Sequence, residues 1–443
     1  MRSTLFHLPE KIAGWPLFGF GLLLAAWIAF SLGMIIWIGR RQGWGVATFA
    51  NLPVYLLVAA GIALIIPRLS EPGYGLPIRS YGLTVLIGVV AGVGLAVRRA
   101  RRAGIEEDFV FSLAFWLFAA GITGARLFHV IQYWENYRQE TPDRALDLFA
   151  TLLRIINVPA GGLVVYGSLV GGALAMMWYV YRQKLPFLPV ADIVAPCLVL
   201  GLAFGRIGCL MNGCCFGDPC NYAWAVTFPD DSLPYTRQVE RGLLYGIQIG
   251  SKQTGNPVAE NRKGTVPVIT WVHPDVALQG LHVGDPIVRF DGLEEPTVEQ
   301  IGGRLSEMPP PGMIMLVTSA GDRELGLALR SAPARSIPIH PTQVYSSINA
   351  LLLCLLLLAY YPVRRRDGEV FALLLTLYPI SRFILEIIRT DETAVFGTRF
   401  SISQNVSILF LIGVVVLWCY ILCQPKDRLW AKGDPVAGKR PAQ

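Results

Sequence analysis

The sequence predicts an all-α polytopic membrane protein with about nine transmembrane helices and a small, mostly-β extracytoplasmic insert. Hydrophobic residues make up 53% of the chain and charged residues only 16%, far from the balance of soluble domains. Apolar runs long enough to cross a hydrocarbon core recur along most of its length. One segment, residues 235 to 335, lacks such runs and is rich in Gly, Pro and charge.

The runs lie near residues 16 to 40, 46 to 67, 81 to 98, 109 to 132, 162 to 182, 188 to 210, 345 to 363, 369 to 388 and 405 to 423. The first is too long for the core of a cleavable signal peptide, and no small-residue cleavage site follows it before the second begins. It is expected to stay in the protein. The net charge of +7 falls in short loops rather than on one face of a domain, which argues against nucleic acid and for topology signals. With the amino terminus outside, Arg40-Arg41, Arg98-Arg99 with Arg101-Arg102, Arg182 with Lys184, Arg364-Arg365-Arg366 and the basic tail all face the cytoplasm. Segments 68 to 80, 133 to 161, 211 to 344 and 389 to 404 then face outward.

Within the insert, Val266 to Val272, Pro286 to Phe290 and Met313 to Val317 read as strands, and Thr297 to Glu307 reads as a helix. Asp291-Gly292 and Gly321-Asp322 are turn signals. The stretch ALQGLHVGDPIVRFDG is similar to the central signature of PDZ domains, and LLYGIQIG upstream to their carboxylate-binding loop. That resemblance implies an extended peptide ligand bound by strand addition.

Residues 205 to 217, GRIGCLMNGCCFG, sit where an apolar helix ends. Arg206 follows a mostly apolar stretch, so its guanidinium is expected at headgroup level, where a planar fork matches phosphate oxygens. Gly205, Gly208, Gly213 and Gly217 let the backbone close around a bulky group. Tyr378, Arg382 and Glu386 recur every four residues and stack on one helix face. The Arg382–Glu386 pair is read either as a structural ion pair or as a carboxylate orienting an arginine toward an anion. His340, in HPTQVY, is either a satisfied residue at a helix start or a catalyst. Tyr166 lies in GGLVVYGSLVGG, whose small residues at four-residue spacing suit close helix packing; it is either an interfacial packing residue or, by its position, a catalytic one.

Cys354, Cys419 and Cys423 fall in apolar runs and read as small buried hydrophobes. Cys209, Cys214, Cys215 and Cys220 cluster at the outward face, where disulfides persist. Their C-x4-C-C-x4-C spacing departs from the paired CxxC zinc pattern, so no metal is assigned. A local disulfide, a disulfide relay and an exposed thiol acceptor remain open for them.

Together these residues resemble the prolipoprotein diacylglyceryl transferase family. The resemblance runs through Arg79-Ser80-Tyr81-Gly82, Gly124-Ala125-Arg126, GGLVVYG, Asp192 with the proline of VAP, GRIG with NG and FG, HPTQVY and YPISRFILEIIR. The family has seven spans, so residues 1–74 are an amino-terminal addition of two helices. Residues 75–235 and 336–425 form the core, 236–335 the PDZ-like insert and 426–443 a cytoplasmic tail. The resemblance implies a bacterial inner-membrane enzyme that takes diacylglyceryl from phosphatidylglycerol and gives it to the lipobox cysteine of a prolipoprotein, without a cofactor. It assigns Arg206 and Arg382 to the lipid phosphate and the leaving glycerol phosphate. Tyr81, Arg126, Gly208, Asn212, Gly217, Tyr378 and Glu386 match its substrate-site positions.

Four positions depart from the pattern: Tyr166 replaces a histidine, Cys209 an asparagine, Cys214 a glutamate and Ser346 a glutamate. An ordinary tyrosine is a poor base at neutral pH, so His340, Glu386 or the lipid phosphate is left to take the thiol proton. Two alternatives follow: a paralogue with another acceptor that uses the cysteines, and a non-enzymatic scaffold presenting the insert.

Overall fold

A computed structural model describes residues 4–43, 52–71, 73–138, 147–157, 161–253, 265–272, 282–307, 313–318, 324–328, 333–388, 400–426 and 429. The molecule is a mostly helical polytopic membrane protein. Eight described helices are long and apolar enough to cross a membrane: Leu22–Arg41, Leu52–Leu69, Ser80–Arg102, Glu107–Gln132, Phe187–Asn212, Thr342–Val363, Glu369–Ile387 and Ile402–Cys423. Large apolar side chains such as Val90, Phe115, Leu409 and Val416 stand exposed on them, as a lipid-facing surface requires. The expected ninth span, 162 to 182, forms the helix Val165–Arg182 but is not among the eight. Its glycines, tyrosines and terminal arginine dilute its hydropathy.

The chain forms two compact units, residues 1–84 with 207–341 and residues 85–206 with 342–443. In the second, Val165–Arg182 packs on Glu107–Gln132 at backbone contact. A Cβ on Gly124 would overlap the Gly167 carbonyl, and one on Gly171 would overlap the Ala120 carbonyl. The small-residue pattern therefore does what its spacing predicts.

Asp192, fully buried in Phe187–Asn212, caps another helix in trans. The helix Glu369–Ile387 has Gly368 at its N-cap and no side-chain cap of its own. Asp192 accepts from the amides of Gly368 at 2.8 Å and Phe371 at 2.9 Å, with Arg364 Nε 3.5 Å away. Arg99 donates to the Ile193 and Asp192 carbonyls and lies over the Tyr361 ring, which Arg364 also faces. Orphan amides at a helix start favour a negative partner, and a buried carboxylate survives only with such donors.

The first unit holds the insert. Ile247–Gln253 pairs antiparallel with Thr265–Val272, and a four-stranded sheet runs Glu324–Ala328, Met313–Thr318, Ile287–Phe290, Leu293–Glu294. Asp291 and Gly292 both have positive φ, as the two-residue turn between Phe290 and Leu293 demands. Gly321-Asp322 and residues 277 to 281 of the PDZ-like signature lie outside the described residues. The helix Val298–Glu307 buries Ile301 and Leu305 against Ile247, Ile269, Ile287 and Phe290. Strands are not confined to the insert: Thr4–Leu8 pairs antiparallel with Leu76–Arg79 and holds the residues before Tyr81. Of the cysteines read as buried, Cys354 is buried while Cys419 and Cys423 are exposed on the last helix.

Candidate active site

In the second unit the arginine–glutamate stripe forms as its spacing predicts. Arg382 Nη1 lies 2.8 Å from Glu386 Oε2, and Arg382 Nη2 donates to Ser403 Oγ at 2.9 Å. Glu386 is 4% exposed and Ser403 is buried, so the guanidinium is held on two sides by dry partners. Tyr166 joins the same group, its hydroxyl 3.4 Å from Ser403 Oγ. That distance is long for a hydroxyl pair, so the contact is weak. Tyr378, half-buried, accepts at its carbonyl from Ser381 Oγ, and Ser381 in turn accepts from Asn349. Arg206 is half-buried in the last two turns of Phe187–Asn212.

Ser403 was not legible as a site residue. It stands two positions after Ser401, which caps its helix through a box with Gln404, so it reads as part of a helix start. The available signal was Ser403 with Ser407, both buried, four residues apart in an otherwise apolar span.

Arg126 is engaged by the main chain. Its guanidinium is buried, and its donors are engaged by main-chain carbonyls: Ile155 at 2.8 Å from Nε, Gly161 and Gly162 from Nη1, Arg154 at 2.8 Å and Asn157 at 2.9 Å from Nη2. Arginine has five N–H groups, and here each has a carbonyl. Residues 154, 155 and 157 end the helix Leu148–Ile156, where carbonyls lack intrahelical partners and the dipole favours a cation. In this arrangement Arg126 ties the end of Leu148–Ile156 to the Gly161-Gly162 segment.

In the first unit, Gly208 and Tyr81 meet closely: a Cβ on Gly208 would stand 2.6 Å from Thr84 Oγ1 and 3.0 Å from the Tyr81 ring. Asn212 ends its helix and is exposed. Gly213 follows at φ +73°, its amide donating to Leu210 and that of Cys214 to Cys209. This paired closure is a Schellman motif, and it folds Cys214 back over Cys209. Cys215, at φ +60°, turns the chain again. The sulfurs of Cys209, Cys214 and Cys215 consequently lie within 4.8 Å of one another, all half-buried. The Cys214 thiol is pushed above its ordinary range: the Cys209 contact lowers it, but the Cys215 contact and burial outweigh that. Cys220 takes no part in this group; its amide donates to Pro338. The buried Gly217 amide donates to the His340 carbonyl, the His340 amide donates to Asp218, and the His340 ring packs on Tyr222.

Eight described helices long and apolar enough to cross a membrane, and a half-buried arginine held among them by a glutamate and a serine, define an integral-membrane protein. The sequence profile described as prolipoprotein diacylglyceryl transferase matches residues 73–420. A phosphatidylglycerol--prolipoprotein diacylglyceryl transferase from Rhodopirellula baltica is 34% identical over 451 aligned residues, covering 94% of this chain and 88% of that protein. One from Clostridium perfringens, numbered 2, is 25% identical, covering 78% of this chain and 91% of its own length. One from Trichormus variabilis is 35% identical across 38% of this chain and 55% of that protein. The chain belongs to the prolipoprotein diacylglyceryl transferase family.

Proposed function

We propose that this protein transfers the diacylglyceryl group of phosphatidylglycerol to the thiol of a prolipoprotein's lipobox cysteine, releasing glycerol phosphate. Family membership over most of the chain carries this reading. The chemistry of the site supports it. A thiolate attacks the terminal glyceryl carbon, the carbon–oxygen bond breaks, and negative charge builds on a phosphate oxygen. Guanidinium groups fixed in a dry site stabilise that charge without reorganising. Arg382 is so fixed by Glu386 and Ser403, and Arg206 is the second arginine we assign to the phosphate. Tyr81, Gly208, Asn212, Gly217 and Tyr378 would shape the lipid and peptide sites.

Glu386 serves in this account as the counter-ion that orients Arg382, because its charge is already engaged at 2.8 Å. Tyr166 is a minor support through its long contact with Ser403. Tyr166→Phe is accordingly expected to retain transfer to within about threefold, since a weak hydroxyl contact contributes well under 1 kcal/mol. A hundredfold loss in peptide-dependent release of glycerol phosphate would instead make the phenol a participant in proton transfer.

The core comprises residues 75–235 and 336–425, with residues 1–74 and 236–335 as additions; the family match beginning at residue 73 supports the first boundary. We read the protein as lying in the bacterial inner membrane, amino terminus outside, with the site and the insert outward. The insert is read as a PDZ-like binder of extended peptides, supported by its signature, by the strand within that signature and by the helix that follows it. An epitope at residue 258 should be reached by antibody on intact spheroplasts. Deleting residues 240 to 332 should remove peptide capture and spare transfer. An epitope hidden until lysis would reverse the orientation, and capture surviving the deletion would move the peptide site elsewhere.

A further inference from the structure

Tyr166 stands where the family has a histidine, and the charge of Glu386 is engaged by Arg382, which leaves His340, the lipid phosphate or a metal ion to bring the acceptor thiol to its thiolate. Three cysteines offer the metal a site. The Schellman turn at Gly213 and the left-handed Cys215 bring the sulfurs of Cys209, Cys214 and Cys215 within 4.8 Å of one another. Tetrahedral zinc holds thiolates at about 2.3 Å, which sets neighbouring sulfurs about 3.8 Å apart, so small side-chain rotations close the set. A disulfide would use two of the three and leave the convergence of the third without purpose. Among the described residues the group stops at three protein ligands, the number that leaves a tetrahedral ion one open position. Arg206 precedes Cys209 by three residues in the same helix, so the ligand set begins one turn beyond an arginine assigned to the lipid phosphate.

Resting on the transfer reading, we propose that Cys209, Cys214 and Cys215 bind one Zn2+ through their thiolates, and that the fourth position takes the sulfur of the acceptor cysteine. Coordination releases the acceptor's S–H proton to solvent, because a thiol bound to zinc ionises at neutral pH. The sulfur lone pair then forms the S–C bond while the C–O bond to phosphate breaks, and that electron pair leaves on glycerol phosphate. The thioether product carries no charge, binds zinc more weakly than the thiolate did, and exchanges off.

The test uses the full-length protein purified in detergent without chelator. Elemental analysis should find about one zinc per chain in the wild type and several-fold less in Cys209→Ser and Cys215→Ser. Exchange with Co2+ should give sulfur-to-cobalt charge-transfer absorption, which a lipobox peptide raises by about one third as three thiolates become four. The same peptide with serine for its cysteine should leave the spectrum unchanged. Zinc retained in the serine variants, a Cys209–Cys214 disulfide in place of metal, or a cobalt spectrum indifferent to the peptide would each overturn the proposal. Undiminished transfer by metal-stripped protein would overturn it and leave the transfer reading standing. Zinc-loaded protein that coordinates the peptide sulfur yet transfers no lipid would support the metal site and overturn the transfer reading instead.

Discussion

Arg382→Ala is expected to lower peptide-dependent transfer by about 10²–10³-fold, the usual loss when one preorganised donor is taken from a charge-developing site. The effect should fall on kcat, because the arginine acts where charge builds on the leaving oxygen rather than on the neutral glyceryl carbon. Removing the guanidinium also leaves Glu386, 4% exposed, as a buried carboxylate that has lost its cation, so some loss of stability accompanies the loss of rate. Arg382→Ala with Glu386→Gln separates the two. The double variant should recover stability by removing the stranded charge, while transfer stays low. Arg206→Ala should match Arg382→Ala in rate. Transfer within fivefold of wild type in Arg382→Ala would remove this arginine from the chemistry.

Arg126→Ala is expected to destabilise the protein by about 3–5 kcal/mol, enough to prevent recovery of folded protein in detergent. Its guanidinium is buried and gathers carbonyls of residues 154, 155, 157, 161 and 162, which the substitution would strand. Arg126→Lys should restore little, since an ammonium has three donors and no planar fork to span two segments. The measurement is a thermal or detergent-titration unfolding midpoint. A normal midpoint with a raised KM would return Arg126 to the substrate.

The two arginines with opposite fates show where the sequence informs and where it stops. Arg382 was legible because helical periodicity alone stacks it on Glu386, four residues on. Arg126 was not, because its partners lie 28 to 36 residues away in a loop and a helix end, and no local pattern announces them. Eight of the spans were legible from length and hydropathy, the terms that membrane insertion itself reads. Val165–Arg182 resembles them in spacing and falls short in hydropathy because its glycines serve backbone packing against Gly124 and Ala120. Three of the insert's strands, Thr265–Val272, Ile287–Phe290 and Met313–Thr318, and its Asp291-Gly292 turn followed from alternation and positive-φ chemistry, whereas Ile247–Gln253 and Glu324–Ala328 did not. The pairing of Thr4–Leu8 with Leu76–Arg79 did not, since it joins segments some seventy residues apart. The cysteine convergence lay between these cases. Gly213 marks a helix stop in the sequence, but that the stop is a Schellman turn, and so returns Cys214 to Cys209, is visible only in the fold.

Whether the chain is a transferase is decided by the mass of a synthetic lipobox peptide after incubation with purified wild-type protein and phosphatidylglycerol. The peptide should gain one diacylglyceryl group on its cysteine, with glycerol phosphate released in equal amount, and neither product should form with Arg206→Ala. An unmodified peptide, from protein that is folded and beside a relative of the family that does modify it, would contradict the assignment.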